Sequence, residues 1–337
     1  MIRSRMDGDF SPLQSKEYEK LFESLPTLRK SYFNHPYFLF ECLHAFSETE
    51  PCFLFSVYED DRLIGFDAFR KAKINLRKIN IPCLVPAGFR IAEYNQPAVD
   101  SKYYSEFFQQ LSLATEKEAL FYHNATGFFS EWFKKEVKDS FIYSISSNPI
   151  LRNTDDGILQ ASLKKGIVRD YKSLQKKTKV EIHHLKDNIS DRILNQFFDL
   201  HIRRWSSQGI NSKFLQQGYR KIYYSLCNIK IPEYGQVVLS YIKSDEEFLA
   251  MHIGFIINNS FLYQIPAFDI KEKSKSPGTV LLKAILDFIV NEGLDVFDMG
   301  YGIEEYKFRY MNDVVNYFSV ARFSNPVYQK LFKIKIR

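Results

Sequence analysis

The sequence predicts an α/β protein in which a mixed, mainly antiparallel sheet is flanked by helices. Its 337 residues are enough for two domains of ordinary size. A content of 45% hydrophobic and 16% aromatic residues can fill buried cores and excludes a largely disordered chain. In the second half, the period of the apolar residues changes from that of helices to that of strands and back, which predicts helices packed on a sheet.

Composition also limits the partners and the compartment. The net charge of +6, from 46 Lys+Arg against 40 Asp+Glu, is too small to predict a nucleic-acid partner but favours anionic ligands such as phosphates. No apolar run resembles a secretory signal or reaches the ~18 residues that span a bilayer, so we expect a cytoplasmic protein. The 4 cysteines form no metal-binding pattern and have no adjacent base, so we expect reduced core residues and no metal site.

The first half is predicted to contain a hairpin and two helices. Two β-rich runs, 51–57 and 63–69, flank an acidic turn and predict a β-hairpin. Apolar residues at helical spacing predict helices over 103–118 and 128–137. The proline-containing segment 81–99 predicts a loop-rich connection.

The second half alternates helices and strands. The helices are predicted over 155–179, 191–206, 214–227, 279–291 and 304–310. The strands are predicted over 180–185, 236–242, 248–257, 261–267, 294–299 and 314–323. Three successive strands with short turns predict an antiparallel meander, which a β-α-β crossover then completes.

The predicted domain boundary lies at Asn148-Pro149, where the character of the sequence changes. We assign 1–148 to an N-terminal domain, 149–325 to a second domain, and 326–337 to a basic C-terminal tail. The tail alternates basic and apolar residues, which is typical of a terminal strand or of a segment that touches a membrane surface.

The strongest run of charge lies in the first predicted helix of the second domain. Between Lys164 and Lys179 the basic residues are Lys164, Lys165, Arg169, Lys172, Lys176, Lys177 and Lys179, against the single acid Asp170. Such a run can steer a phosphate-bearing or nucleic-acid ligand, or form a solvated helix face.

Two motifs lie on either side of helix 279–291. S-P-G at 276–278 precedes the helix, and D-M-G-Y-G-I-E-E-Y-K at 298–307 follows the next strand. Together they resemble the CelD-like acyltransferases of polysaccharide biosynthesis, a branch of the GNAT superfamily distantly related to the Fem-type aminoacyltransferases. The second motif matches the family pattern at Asp298, Gly300, Gly302, Glu304, Tyr306 and Lys307. It departs from that pattern at Met299, Tyr301 and Ile303.

The resemblance implies tandem GNAT-like lobes, the first of them degenerate. It also implies transfer of an acyl group from acyl-CoA, without a metal, to an amino group. The expected acceptor is a small-molecule amino sugar, linked to a nucleotide or a lipid, in cell-envelope polysaccharide biosynthesis. The Fem-type relatives imply aminoacyl-tRNA as an alternative donor. The departures from the pattern leave a third alternative, a non-catalytic binding protein with the same fold.

The expected cofactor site combines a helix start with a strand. A helix N-terminus offers free N–H groups to a pyrophosphate, and 276–279 fits this role unless it is an ordinary helix start. By resemblance, the pantetheine arm pairs with the strand 261–267, which is otherwise a plain edge strand. The residues expected to contact the cofactor are Gln264, Ile265, Ser276, Gly278 and Thr279.

Acyl transfer to an amine needs a base for the amine and an acid for the leaving thiolate. We assign Asp298 and Glu304 as candidate bases and Tyr306 as the candidate acid. The alternative for Asp298 is a capping role at the following helical turn.

Three further residues are expected to contact the substrate, namely His252, Asp269 and Lys307. His252 lies in an apolar strand and alternatively belongs to the core. Lys307 lies three residues after Glu304, so the two alternatively form a surface ion pair.

Overall fold

The structure is a computed structural model that describes residues 1–76, 79–186, 188–229, 231, 233–245, 247–302 and 304–333. The helices are α1 (Lys16–Ser24), α2 (Pro36–Phe46), α3 (Tyr104–Ala114), α4 (Gly127–Glu136), α5 (Gly157–Ser162), α6 (Lys165–Lys177), α7 (Asp191–Ser206), α8 (Gln217–Leu226), α9 (Pro277–Asn291), α10 (Glu305–Phe308) and α11 (Pro326–Lys333). The strands are β1 (Ile2–Asp7), β2 (Cys52–Glu59), β3 (Arg62–Leu76), β4 (Ile79–Pro86), β5 (Ala98–Val99), β6 (Leu120–Ala125), β7 (Phe141–Arg152), β8 (Glu181–Leu185), β9 (Gln236–Ser244), β10 (Glu247–Ile257), β11 (Ser260–Phe268), β12 (Val296–Asp298) and β13 (Asp313–Arg322).

The chain divides into two compact units. The first combines Met1–Ser147 with the segment that starts at Asn316, and the second is Asn148–Val315. The C-terminal segment belongs to the first unit because β13 pairs antiparallel with β6. Among the helices described, none combines the length and the apolar character that crossing a bilayer requires.

The first unit is built on a sheet with the strand order β1-β2-β3-β4-β6-β13, and β5 pairs with β3. The predicted hairpin is confirmed by the antiparallel β2–β3 pair, which closes at Glu59 and Arg62. Helices α3 and α4 bury an aromatic core against this sheet. The core includes Phe55, Phe69, Phe107, Phe108, Tyr122, Phe129 and Phe133.

The second unit contains the predicted meander, with the strand order β12-β11-β10-β9-β8. Its core packs α5, α6 and α9 against the meander strands, while α7 packs on β10 and β11. Helix α9 forms the crossover, since it connects β11 to β12 and these two strands are parallel. Gly293 follows α9 with φ of +68°, the left-handed conformation expected after a helix end.

Three of the predicted elements differ in the structure. The helix predicted over 155–179 is two helices, α5 and α6, because Lys164 has an extended ψ of 132° between them. The segment 81–99 is less loop-rich than predicted, since β4 occupies its start. The tail is predicted as a strand or a membrane-touching segment, but its described part, 326–333, is a helix: Pro326 starts α11, and Asn325 Oδ1 accepts the N–H of Val327.

A carboxyl group lies in the core of the first unit. The side chain of Asp67 is fully buried, and it accepts hydrogen bonds from the hydroxyl of Tyr122 at 2.7 Å and the N–H of Ala68 at 2.8 Å. Burial raises the pKa of Asp67 from 3.8 to about 7, against the lowering effect of the two bonds. The folded protein therefore keeps a proton that the unfolded chain has released.

We expect Asp67→Asn to weaken the pH dependence of stability. Because the folded pKa is raised, Asp67 costs stability progressively as the pH rises from about 4 to about 7. The free energy of unfolding of the wild type, relative to that of the variant, should fall by up to roughly 4 kcal/mol across this window. Urea unfolding at pH 4 and at pH 7 measures this difference, and Glu116→Gln, at an exposed residue, is the control. If the difference between wild type and Asp67→Asn is the same at both pH values, the raised pKa of Asp67 is contradicted.

Candidate active site

Strand β11 carries an extra residue at its centre. Ile265 lies opposite Ile253 of β10, but the next pair is Tyr263 with Gly254, so Gln264 is a β-bulge. The N–H of Gln264 donates to Nε2 of His252 at 3.1 Å. A β-carbon on Gly254 would lie 2.5 Å from the carbonyl oxygen of Leu262, so glycine permits the close approach of the strands here.

β11 and β12 part after a short parallel contact. Their pairing ends at Leu262 and Asp298, whereas β11 continues to Phe268. The later part of β11 therefore lies at a gap in the sheet. Pro266 fits this position because it has no N–H to offer to a neighbouring strand.

One cavity in the second unit, which we call the α9 cavity, has a volume of about 460 Å³. It lies between the first turns of α6 and α9 and the end of β11, and residues 306–310 close it. Arg169, Arg204 and Arg309 line it, against the single acid Asp170, which Arg169 contacts at 3.1 Å. The lining therefore carries an excess of positive charge.

The start of α9 supplies free N–H groups to this cavity. Ser276, the residue before the helix, has φ of +52°, and its side chain makes no capping hydrogen bond. The predicted cofactor residues Gly278 and Thr279 line the cavity, whereas Ser276 does not. N–H groups in a first helical turn have no acceptor within the helix, so this end suits an anion.

The second cavity, which we call the Lys307 cavity, has a volume of about 470 Å³. It lies between the end of α7, the segment 210–213, the bulge of β11 and residues 301–307. Lys307 is only 4% exposed, and its Nζ donates to the carbonyl oxygen of Tyr301 at 2.8 Å. The same Nζ lies 3.1 Å from Oε2 of Glu304, whose side chain is 57% exposed. The pair is thus a buried cation with an exposed carboxylate.

The turn before Lys307 depends on glycine. Gly302 has φ of +133°, which side chains rarely adopt, and a β-carbon there would lie 2.1 Å from Oε2 of Glu304. At the start of the turn, Oδ1 of Asp298 accepts the N–H of Gly300 at 2.8 Å. Asp298 is buried, lines neither cavity, and caps this turn instead of the helical turn that follows. Ile303 lies outside the described residues.

The two cavities share the residues Arg204, Tyr263, Pro266 and Tyr306. Nη1 of Arg204 donates to the carbonyl oxygen of Pro266 at 2.5 Å. Burial, and next the charge of Glu304, raise the pKa of Tyr306 to about 12, so its hydroxyl stays protonated at neutral pH. A cation and a phenol therefore lie where the cavities meet.

Of the substrate residues predicted from the sequence, only Lys307 lines a cavity. His252 is fully buried, stacks on Tyr263 at 4.2 Å between ring centroids, and lines neither cavity. Burial lowers the pKa of His252 well below its usual value, so the ring is neutral and accepts from Gln264 through Nε2. Oδ1 of Asp269 accepts the N–H of Lys271 at 2.9 Å, also away from both cavities.

The remaining predicted residues lie along the Lys307 cavity. Gln264, Ile265, Glu304 and Tyr306 all line it, and Tyr306 reaches the α9 cavity as well. Gln264 and Ile265, which are predicted to contact the cofactor, therefore line a different cavity from Gly278 and Thr279.

The sequence prediction missed the contribution of α7. His201, Arg204 and Trp205 line the Lys307 cavity, and Nδ1 of His201 lies 2.8 Å from Oγ of Ser212. Burial lowers the pKa of His201 to about 3, so it too is neutral. The sequence feature that indicates this contribution is the run H-I-R-R-W at 201–205, which places two arginines, a histidine and a tryptophan on a helix with a buried face.

Phosphate-binding groups lie at the start of α9. Within the described part of the chain, no group of three or more His, Cys, Asp or Glu side chains could hold a metal ion. The uncapped start of α9, with three arginines nearby, provides the N–H groups and positive charge that a pyrophosphate requires.

A family model matches the part of the chain that includes most of the residues lining the two cavities. Residues 161–308 match the family described as the Acetyltransferase (GNAT) domain. No curated protein matches the sequence. The CelD-like branch named from the motifs remains a prediction.

Solved structures share the fold over nearly the whole chain. FemX is 11% identical with a TM-score of 0.59, and the match covers 94% of this chain and 98% of FemX. L-PGS from Bacillus licheniformis is 13% identical with a TM-score of 0.57, covering 90% and 96%. A tandem GNAT protein from the clavulanic acid biosynthesis pathway is 9% identical with a TM-score of 0.51, covering 97% and 99%. These likenesses confirm the predicted fold class, an α/β fold of tandem GNAT-like lobes.

We expect Gly302→Ala to destabilise the second unit. The backbone at φ of +133° is strained for alanine, and the new methyl group would displace Glu304 from Lys307. The cost should be about 1–3 kcal/mol in the free energy of unfolding, measured by urea denaturation. Gly166→Ala is the control, since it has ordinary φ and open space around its β-carbon. Equal stability of the two variants would show that the turn does not need glycine.

Proposed function

We propose that this protein is an N-acyltransferase that moves an acyl group from acyl-CoA to an amino group. One observation carries the proposal: two cavities of similar size lie along β11 and share Arg204 and Tyr306. A transferase of this kind must bring two substrates together at one point, and the cavities meet at such a point. The match of 161–308 to the GNAT domain family supports it.

The α9 cavity suits the donor. The N–H groups of Gly278 and Thr279 can bind the pyrophosphate, and Arg169 and Arg309 can neutralise its charge. A neighbouring groove on α6 adds Lys165, Lys172 and Lys176, which would attract further phosphate. The unpaired end of β11 is available to the amide groups of the pantetheine arm.

The Lys307 cavity suits the acceptor. Glu304 lies beside a buried cation and is exposed enough to take a proton from an incoming amine. Trp205 and Tyr301 give the cavity aromatic surfaces of the kind that pack on sugar rings, which favours an amino sugar. A nucleotide-linked or lipid-linked amino sugar of cell-envelope polysaccharide biosynthesis remains our preferred acceptor.

The chemistry divides among three residues. Glu304 removes a proton from the amine, and Tyr306, protonated at neutral pH, supplies one to the thiolate that leaves. Asp298 fixes the Gly300 turn that carries Glu304, so we assign it a positioning role in place of the proton transfer predicted from the sequence.

A second candidate donor is aminoacyl-tRNA, favoured by the basic face of α6 beside the α9 cavity. A gel shift with tRNA at low and high salt distinguishes the two donors, because phosphate contacts weaken steeply with salt. Binding of tRNA together with absence of CoA binding would replace our donor assignment.

The function is tested by incubating the purified protein with acetyl-CoA and a panel of amino sugars and measuring the thiol released. Calorimetric titration with acyl-CoA of several chain lengths tests the donor separately. A protein that binds acyl-CoA and an amino sugar but releases no thiol would be a binding protein on this fold, the third alternative.

We expect Gly278→Asp to abolish donor binding without unfolding the protein. A carboxylate in the first turn favours the helix but repels a phosphate at the same place. The affinity for CoA should fall at least about tenfold by calorimetry, while the midpoint of thermal unfolding stays the same or rises. Gly278→Ala is the matched neutral control, since its β-carbon would meet Phe268 at 3.6 Å, an ordinary contact. Unchanged CoA affinity in the aspartate variant would exclude this helix start as the phosphate site.

We expect Tyr306→Phe to slow turnover without weakening donor binding. Loss of the proton donor should lower kcat by roughly 10²-fold or more, with CoA affinity within about threefold of the wild type. The thiol assay and calorimetry measure the two quantities. Tyr37→Phe is the control, because Tyr37 is exposed and lines neither cavity. Equal kcat in both variants would remove Tyr306 from the reaction.

A further inference from the structure

Arg204 carries a positive charge that the described residues leave without a carboxylate partner. Its one hydrogen-bond acceptor among them is the carbonyl oxygen of Pro266, and its Nε is buried without any acceptor. The guanidinium also lies 4.5 Å from the ring centroid of Phe268. Burying a charge in this way is costly unless an anion compensates it, and burial lowers the pKa of Arg204 from its usual value.

Among the described cationic residues, Arg204 lines both cavities. Arg169 and Arg309 line only the α9 cavity, and Lys307 lines only the other. Phe268 contacts the Arg204 guanidinium and also lies next to Gly278 at the helix start. Arg204 is therefore the positive charge that lies closest to the place where the two cavities meet.

The backbone of β11 offers little to a negative oxygen at this point. The N–H of Gln264 is bonded to His252, and Pro266 has no N–H. Ile265 pairs with Ile253 in the ladder. A side-chain donor is therefore needed wherever negative charge develops beside the bulge.

We infer that Arg204 binds the carbonyl oxygen of the acyl donor and stabilises the negative charge that develops on it during transfer. This inference rests on the proposed function and adds a catalytic residue to it. The amine nitrogen forms a bond to the thioester carbon, and the π electron pair of the carbonyl moves to its oxygen, where Nη2 of Arg204 donates. The pair then returns, the C–S bond breaks, and sulfur leaves with its electrons. The amine loses one proton and the thiolate gains one, so amine and thioester give amide and thiol.

The inference can be tested by binding, without knowledge of the acceptor. The probes are coenzyme A and S-carboxymethyl-coenzyme A, whose carboxylate places negative oxygen one bond beyond the position of the thioester carbonyl oxygen, within reach of a long side chain such as arginine. The full chain should bind the carboxymethyl probe at least about tenfold more tightly than coenzyme A, because a charge-assisted bond to Arg204 is available. Arg204→Met should equalise the two affinities and leave the affinity for coenzyme A within about threefold of the wild type.

Two further variants make the result specific. Arg203→Met is the matched control: Arg203 precedes Arg204 on α7, is exposed, and lines neither cavity, so the preference should persist. Arg204→Lys keeps the charge but loses the planar guanidinium, so it should keep only part of the preference for the carboxymethyl probe. If Arg204→Met does not fold, this partial loss is the result that tests the role of Arg204. In the thiol assay, Arg204→Met should lower kcat by ~10²–10³-fold, the usual loss for one oxyanion donor.

The outcomes separate the two proposals. If the Arg204 variants keep the full preference for the carboxymethyl probe, the role of Arg204 is overturned and the proposed function stands. The role is equally overturned if Arg204→Met loses affinity for coenzyme A itself to the same extent as for the probe. If the wild type binds neither compound, the acyl-CoA donor is wrong and the inference falls with it.

Discussion

The geometry of the site depends on the hydrogen bond from the N–H of Gln264 to Nε2 of His252. A bulge normally leaves its extra residue without a ladder partner, and an unpaired N–H in this buried strand would be costly. The imidazole satisfies that N–H and is itself held by stacking on Tyr263. The bulge can then persist at the place where β11 leaves β12, so that one strand forms a wall of two cavities.

Cations in the cavity walls are the second organising feature. Lys307 is buried and paired with Glu304, whereas Arg204 is half-buried and bonded to a carbonyl oxygen, with the carboxylate of Glu304 beyond ion-pair distance. Retaining such a charge lowers stability. Arg204 lies where the two cavities meet, and this position explains why the loss of stability is tolerated. A charge without an ion-pair partner in the protein remains available to a substrate.

Much of the second unit could be predicted from its sequence, because strand and helix periods are strong signals there: the meander and the helices α7 and α9 are confirmed. The first unit was harder, and β1 and β7 were missed because neither has a clear apolar alternation. The motif positions Glu304, Tyr306 and Lys307 do line one cavity. Arg204 escaped prediction because its partners come from β11, far along the chain, and His252 was assigned to substrate because a sequence does not reveal which face of a fully buried strand meets a cavity.

Because Tyr263 and Pro266 belong to the walls of both cavities, a shift of β11 on binding in one cavity would change the other. Thermodynamic linkage then makes the effect reciprocal: if an occupant of the α9 cavity raises affinity in the Lys307 cavity by some factor, an occupant of the Lys307 cavity raises affinity in the α9 cavity by the same factor. One strand end would in this way couple the binding of donor and acceptor.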